Sequence, residues 1–87
     1  MELREHRLKR LHMRSIRRGI KEMDIILMRF SELRLAQLSD ADLDLYDALL
    51  EENDQDLYQW VTGQIAPPER FAPIVALVVD SLPKSTA

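Results

Sequence analysis

The 87-residue sequence contains no cysteine, two histidines and two glycines, and only 6% of its residues are aromatic. Without cysteine there is no disulfide, no thiolate nucleophile and no cysteine ligand for a metal. His6 and His12 lie six residues apart on a predicted helix, which puts them on different sides, so they cannot share an ion. The longest unbroken apolar run, residues 74–79, is far shorter than the ~20 residues of a membrane span. These absences exclude most zinc and haem chemistry and predict no membrane helix.

The remaining composition is typical of a small globular domain. Hydrophobic residues make up 46% of the chain and charged residues 31%, which is too apolar for a disordered protein. A chain of this size forms one domain, and it buries roughly 60–65% of the surface that its unfolded form exposes. We therefore expect a single domain over residues 1–87, with an ordered core of about 5–82 and a frayed tail at 83–87.

The net charge of −3 is unevenly distributed. Residues 1–22 carry eight Lys or Arg and three Glu, a net of +5. Residues 23–87 carry four Lys or Arg and twelve Asp or Glu, a net of −8. This basic head on an acidic body suggests a charged surface that meets a partner.

The pattern along the chain predicts an all-α fold, a compact five-helix bundle. Glycine is scarce and few residues before position 60 are β-branched, which favours helices. The second predicted helix has the broadest apolar face and should be central. The run 74–79 could also form a strand, but it would have no partner strand. The first two predicted helices cover residues 5–17, with Gly19 at the helix end or at a tight corner, and residues 20–34. Ser39 opens the third, and Asn53-Asp54 caps the fourth, which stops at Gly63. The fifth starts near Pro73, after a turn at 68–71.

The sequence contains no motif typical of a catalytic or metal-binding site. The acidic cluster at positions 40, 42, 44 and 47 resembles a calcium loop only superficially, because its sixth position is Leu45 rather than glycine. No glycine-rich phosphate loop is present, and no Ser or Thr has a plausible base beside it. We therefore predict no catalytic residue, no metal site and no enzymatic activity.

The basic head admits three interpretations. Basic residues at 4, 7, 10, 14, 17 and 18 could follow a phosphate backbone, form a solvated helix face, or dock on a protein, where Arg pairs well with carboxylates. The acidic body opposes the first interpretation. The third is supported by the cluster of residues 17–24, where Gly19 between two helices would let another backbone approach closely. Arg18 and Glu22, four residues apart, could also pair, for about 0.3–0.5 kcal/mol at best.

This cluster resembles a known family. Arg18-Gly19-Ile20-Lys21-Glu22 is similar to the Arg-Gly-x-x-Glu signature of the small flavinylation factors of succinate dehydrogenase, the bacterial assembly factors and their mitochondrial relatives. The stretch LLEENDQDLYQW at 49–60 resembles the family's second block. The similarity spans about residues 8–82, and two blocks at the right distance make a specific signal.

The resemblance implies a five-helix assembly factor that is not an enzyme. Members bind the flavoprotein subunit of succinate dehydrogenase, and in bacteria often that of fumarate reductase, and promote covalent attachment of FAD to a histidine of that subunit. Carried over by position, the partner-binding residues are Arg18, Gly19 and Glu22, with Arg17 and Asp24 as neighbours. No cofactor is expected to bind stably, because the FAD is held by the partner.

Several further expectations accompany this interpretation. We expect a monomer that binds neither nucleic acid nor membrane, in the bacterial cytoplasm or, for a processed eukaryotic chain, in the mitochondrial matrix. The alternative is a small helical regulator that binds nucleic acid through its basic N-terminal helix. A carrier of free FAD is a third option, disfavoured because no glycine-rich phosphate site is present, and titration with FAD would test it.

Overall fold

The computed structural model describes residues 2–83 and confirms the all-α prediction. No strand occurs within that range, so the strand alternative for 74–79 is wrong. Short 3₁₀ turns follow the second helix at Leu35–Gln37 and precede the last helix at Glu69–Phe71. The five helices are α1 (Arg4–Ser15), α2 (Lys21–Arg34), α3 (Asp40–Leu49), α4 (Asp54–Val61) and α5 (Ala72–Asp80).

Local side-chain chemistry sets the starts of the last three helices. The Ser39 hydroxyl accepts from the Asp42 N–H at 3.1 Å, and the Asn53 side-chain oxygen accepts from the Gln55 N–H at 2.7 Å. Both bonds satisfy first-turn donors that would otherwise lack a partner, so both predicted caps are confirmed. Pro73 lies in the first turn of α5, where its missing N–H costs nothing.

The end of α1 differs from the prediction. The helix stops at Ser15 rather than at residue 17, and the left-handed residue after it is Arg17, at φ 61°. Gly19 does not take a left-handed conformation. A residue just past a helix end often adopts this conformation because it closes the last turn, but it is usually glycine. The chain thus places a strained, non-glycine residue next to the signature.

The apolar core is built around α2, as its broad apolar face predicts. Phe30 packs on Tyr46 of α3 with ring centroids 5.1 Å apart. The Tyr46 hydroxyl is buried and forms a 2.6 Å hydrogen bond with the Ser15 hydroxyl of α1. The buried apolar residues are Leu11, Met23, Leu27, Phe30, Leu35, Leu38, Leu43, Tyr46, Leu49, Leu50, Leu57, Val61, Phe71, Ile74, Val75 and Val78.

The basic head is largely neutralised within the chain. Arginines spaced three or four residues apart along α1, together with Arg18, face acidic residues of α3, of the α3–α4 connection and of the start of α4. The ion pairs are Arg4–Asp40, Arg7–Asp44, Arg10–Asp47, Arg14–Asp47, Arg14–Glu51 and Arg18–Asp54. The uneven charge of the sequence therefore serves mainly to join α1 to the rest of the bundle. This finding removes most of the basis for a basic face that follows nucleic acid.

The C-terminal end of the described chain is packed rather than loose. Ser81 is buried, and its carbonyl accepts from the Arg29 Nε at 2.9 Å. Most of the predicted frayed tail, residues 84–87, lies outside the described residues. Between residues 2 and 83, no helix is long and apolar enough to cross a bilayer.

Candidate partner-binding site

The predicted partner-binding residues all lie where α1 turns into α2. We call residues 17–24 the corner; it comprises the second half of the connection and the first turn of α2. Ile20 precedes α2 without offering a side-chain cap to its first turn. Bonds that involve Arg18 and Asp24 of the corner and Asp54 of α4 position it instead. The residues of the corner divide into an inward and an outward set.

Arg18 is the inward residue that ties three helix ends together. Its Nη1 donates to the carbonyls of Arg14 at 3.2 Å and Leu50 at 3.1 Å, at the C-terminal ends of α1 and α3. Its Nη2 donates to the Glu52 carbonyl at 3.3 Å. A cation at helix C-termini is favourable because the last carbonyls lack intrahelical partners and carry partial negative charge. Arg18 thus supports the corner from inside.

Asp54, the first residue of α4, receives the remaining bonds of this cluster. Its Oδ1 accepts from Arg18 Nε at 2.7 Å, and its Oδ2 accepts from the Gly19 N–H at 2.6 Å. The Arg18 and Asp54 side chains are only 12% and 16% exposed. The negative charge also suits the N-terminus of α4. One carboxylate therefore holds two consecutive residues of the signature.

Asp24 is the second inward residue of the corner. Its Oδ1 accepts from the Arg18 N–H at 3.0 Å, which ties the connection to the first turns of α2. The sequence interpretation placed Asp24 beside the signature as a neighbour in partner binding. The structure gives it a bond within the chain, and its role toward a partner stays a prediction.

The outward set consists of Arg17, Gly19, Lys21 and Glu22, all of which are exposed. Over residues 2–83, the side-chain hydrogen bonds and ion pairs of the corner involve Arg18, Gly19 and Asp24, and none involves the Arg17 guanidinium or the Glu22 carboxylate. The predicted Arg18–Glu22 pair is wrong, because residues 16–20 are not helical and Arg18 turns inward to Asp54. Glu22 is exposed at the surface, and its predicted contact with a partner stays a prediction.

An exposed apolar strip continues from the outward set along α2. Ile25 is 52% exposed and Met28 is 40% exposed. Residues three apart on a helix share a face, so Glu22, Ile25 and Met28 form a continuous surface. Charged residues beside exposed apolar ones are typical of interfaces with other proteins.

The ion pairs along α1 shift the pKa values of the groups that form them. The hydrogen bond from Arg10 lowers the pKa of Asp47, and a bond from the same guanidinium lowers the pKa of Glu2. These two carboxylates in turn raise the pKa of Arg10. The groups therefore stay charged throughout the neutral range, and α1 is held by permanent ion pairs.

The arrangement offers binding and no visible reaction chemistry. No group of three or more His, Asp or Glu in the described part of the chain is placed to hold a metal ion. The outward residues Arg17, Lys21 and Glu22 can donate, accept and attract charge, but no nucleophile–base pair accompanies them. The role of the corner in binding a partner stays a prediction.

Sequence reasoning missed one residue that belongs to this site. It assigned Asp54 only to the cap of α4, whereas the structure brings its carboxylate to Arg18 and Gly19. The signal was present in the second block, residues 49–60, whose distance from the signature made the resemblance specific. That block contains the carboxylate which the signature contacts.

Residues 9–81 match the family model described as flavinator of succinate dehydrogenase. The match includes both the corner and the 49–60 stretch. The chain belongs to this family. The resemblance predicted from Arg18, Gly19 and Glu22 is therefore confirmed at the level of the family.

Curated relatives support the same assignment. The chain is similar to proteins named succinate dehydrogenase assembly factor 2, mitochondrial. The protein from Meyerozyma guilliermondii is 49% identical over 61 residues, which cover 70% of this chain and 45% of the relative. Those from Mycosarcoma maydis and Scheffersomyces stipitis are 39% and 44% identical, over 82% and 70% of this chain and 30% and 41% of theirs. The chain thus spans less than half the length of these relatives.

Proposed function

We propose that this flavinator-family chain binds the flavoprotein subunit of succinate dehydrogenase and promotes covalent attachment of FAD to a histidine of that subunit. Two observations support the proposal. The chain belongs to a family described as flavinators, and the corner presents Arg17, Gly19 and Glu22 outward on a support held from inside. The exposure of the outward set is the reason for proposing the corner as the surface that binds the flavoprotein.

The proposed contribution is binding without catalysis. A bond between the flavin and a histidine needs a nucleophilic imidazole against the reactive carbon of the flavin, and the flavoprotein with its FAD supplies both. A helper that prefers one arrangement of the flavoprotein increases the population of that arrangement. We infer that this chain stabilises the attachment-competent arrangement, holds no FAD of its own and is not an enzyme.

The outward residues suit this role in different ways. Arg17 can form paired hydrogen bonds with a carboxylate of the partner, and Glu22 can accept from a partner side chain or N–H. Ile25 adds apolar area that gains from leaving water. Such a mixture of arginine, acid and aliphatic surface is typical of interfaces that form and later dissociate.

The test is the flavinylation of the apo-flavoprotein with and without this protein. The flavoprotein subunit is incubated with FAD, separated under denaturing conditions and assayed for fluorescence of covalently retained flavin. We expect strong fluorescence only when the chain is present, together with co-purification of the two proteins. Equal flavin incorporation without the chain would refute the proposal.

Two variants localise the activity to the corner. Glu22→Ala and Gly19→Arg should abolish flavinylation, while circular dichroism shows that each variant stays folded. Glu32→Ala is the matched control, because Glu32 is an exposed glutamate on the same helix but lies far from the corner. Full covalent FAD incorporation with either corner variant would show that this surface is misassigned.

The clients and the compartment follow from the same proposal. The flavoprotein of fumarate reductase is a second candidate client and can replace that of succinate dehydrogenase in the assay. The relatives' names place those proteins in mitochondria. We expect this chain to act where its flavoprotein client folds, in the bacterial cytoplasm or the mitochondrial matrix.

A further inference from the structure

We propose that Asp54 is the positioning residue of the corner: its carboxylate fixes Arg18 and Gly19 and so sets the geometry in which Arg17 and Glu22 meet the partner. This inference rests on the proposed function and extends it to a residue outside the signature. It also assigns the need for glycine at position 19 to a contact within the chain.

Both oxygens of Asp54 are committed to the corner. Oδ1 accepts from Arg18 Nε at 2.7 Å and Oδ2 accepts from the Gly19 N–H at 2.6 Å. Hydrogen bonds to a carboxylate are stronger than neutral ones, and the side chains of Arg18 and Asp54 are mostly shielded from water, although the Gly19 bond lies at the surface. The backbone of α4 holds Asp54 in turn, so the corner is tied to a rigid element.

The connection part of the corner, residues 17–20, needs such a support because it has no regular structure of its own, whereas residues 21–24 already belong to α2. Residues 16–20 lie between α1 and α2, and Arg17 there has a positive φ of 61°. A disordered loop must lose its conformational freedom when a partner binds, which weakens binding, whereas a loop held beforehand loses less. Asp54 provides this order before the partner arrives.

The space at Gly19 points to the same carboxylate. A Cβ added there would lie 3.1 Å from Asp54 Oδ2, which is tighter than ordinary contact. The φ of Gly19 is not left-handed, so a side chain at this position meets a limit of space at the Asp54 carboxylate rather than a limit of backbone conformation. The glycine predicted that another backbone approaches here, whereas the structure places the Asp54 carboxylate of the same chain there.

The first test compares Asp54→Ala with Asp44→Ala. Asp44 also accepts from an arginine across two elements, through Arg7, but it lies far from the corner. We expect Asp54→Ala to weaken binding to the apo-flavoprotein about tenfold, because the corner must then be ordered during binding. Asp44→Ala should stay within about twofold, because only a surface ion pair is lost. Binding by Asp54→Ala that equals the wild type would overturn the proposal.

Hydrogen exchange supplies a readout that does not depend on the partner. In Asp54→Ala the Gly19 amide should exchange about tenfold faster or more, because its carboxylate acceptor is gone. The Gly19 amide in Asp44→Ala should be unchanged. If Asp54→Ala does not fold, Asp54→Asn retains one acceptor oxygen for the two donors and should give intermediate exchange and binding. Unchanged Gly19 exchange in the folded Asp54 variant would contradict the inference.

A double-mutant cycle decides why Gly19 must be glycine. Gly19→Ala alone should weaken flavoprotein binding, because the added methyl lies 3.1 Å from Asp54 Oδ2 and the carboxylate must shift away from the Gly19 N–H to make room. In the Asp54→Ala background the same change should cost less than about a further twofold, because nothing remains for the methyl to meet. Equal losses in both backgrounds would mean that the partner requires the glycine.

The two proposals fail in distinguishable ways. If the wild-type chain neither binds the flavoprotein nor increases its covalent flavin, the proposed function is wrong. The exchange of the Gly19 amide still shows whether Asp54 orders the corner. If the wild type is active and Asp54→Ala is equally active, only the positioning role is wrong.

Discussion

The helices on the two sides of the corner are held by different forces. α1 buries only Leu11 and Ser15 and is joined to α3 by ion pairs, whereas α2 buries Met23, Leu27 and Phe30 within the apolar core. Apolar burial is large but hardly directional, while arginine–carboxylate pairs are individually weak and depend on geometry. The corner therefore joins a helix set by apolar packing to one aligned mainly by charge.

The difference suggests a division of labour between stability and alignment. The carboxylates of Asp40 and Asp44 are mostly exposed, so each of their pairs contributes little to the free energy of folding. Repeated along α1, such pairs oppose displacement of the helix, because a shifted register would separate each guanidinium from its own carboxylate. The apolar side supplies most of the stability and the ionic side sets where α1 ends and the corner begins.

The largest effect is expected from the apolar side. Leu27→Ala removes a fully buried side chain from the centre of the core and should lower the free energy of unfolding by about 3 kcal/mol or more. Urea denaturation followed by circular dichroism measures the change. Leu33→Ala, at an exposed position on the same helix, is the control and should have little effect. A loss below about 1 kcal/mol for Leu27→Ala would mean that α2 is not central.

The buried Tyr46 hydroxyl should make the stability of the fold depend on pH in alkaline solution. Burial raises the pKa of its hydroxyl from 10.0 to about 12. The unfolded chain loses this proton near pH 10 while the folded chain keeps it. The free energy of unfolding therefore keeps its full value below pH 10 and falls by about 2 kcal/mol as the pH rises from 10 to 12.

The control for this titration is Tyr46→Phe, which keeps the ring and removes the ionisable hydroxyl. At neutral pH the variant should be somewhat less stable than the wild type, because it lacks the hydrogen bond to Ser15. Between pH 10 and 12 its free energy of unfolding should fall less than that of the wild type. Unfolding free energies at a series of pH values give both curves. Parallel curves would show that Tyr46 is not the group responsible.

Removing an ion pair between α1 and α3 should cause a smaller loss of stability, and that loss should depend on the salt concentration. Asp47→Asn weakens the pairs with Arg10 and Arg14 and should cost about 1 kcal/mol at low ionic strength. In 1 M salt the difference from the wild type should shrink, because the Debye length falls to about 3 Å. Asp56→Asn, a change at an exposed acid on α4, is the control. A loss that salt leaves unchanged would point to packing rather than charge.

The same aspartate has an acid signature. Because Arg10 lowers the pKa of folded Asp47 below 3.8, its stabilisation is complete above the unfolded value. That contribution is lost as the pH falls from about 4 through the lower folded pKa. The wild type should therefore lose stability faster than Asp47→Asn below pH 4. Equal acid slopes for the two proteins would contradict the ion-pair assignment.

The smallest effect concerns the backbone between the two sides. Arg17→Gly relieves the positive φ and should raise the free energy of unfolding by about 0.5–1 kcal/mol. Arg17→Ala removes the same side chain without relieving the backbone and should not stabilise. Both variants should bind the flavoprotein more weakly than the wild type if the Arg17 side chain contacts the partner. Full binding by the stabilised glycine variant would show that the side chain is dispensable.

Local patterns predicted the elements because the deciding interactions are local. Ser39 and Asn53 cap helices within three residues of themselves, and the apolar period of α2 forecasts its buried face. The end of α1 was predicted two residues too late, because Gly19 was the only nearby residue whose type indicates a helix end. The strained residue is Arg17, whose conformation is imposed by bonds that surround it.

The sequence by itself determined the helical class, most helix boundaries, the family and the location of the signature, because periodicity, caps and short motifs are properties of neighbouring residues. Only the tertiary structure decided that the basic head faces the acids of α3, and that Arg18 turns inward while Glu22 stays exposed. Those outcomes depend on contacts between residues more than thirty positions apart, such as Arg18 and Asp54, and charge counts cannot show which groups meet.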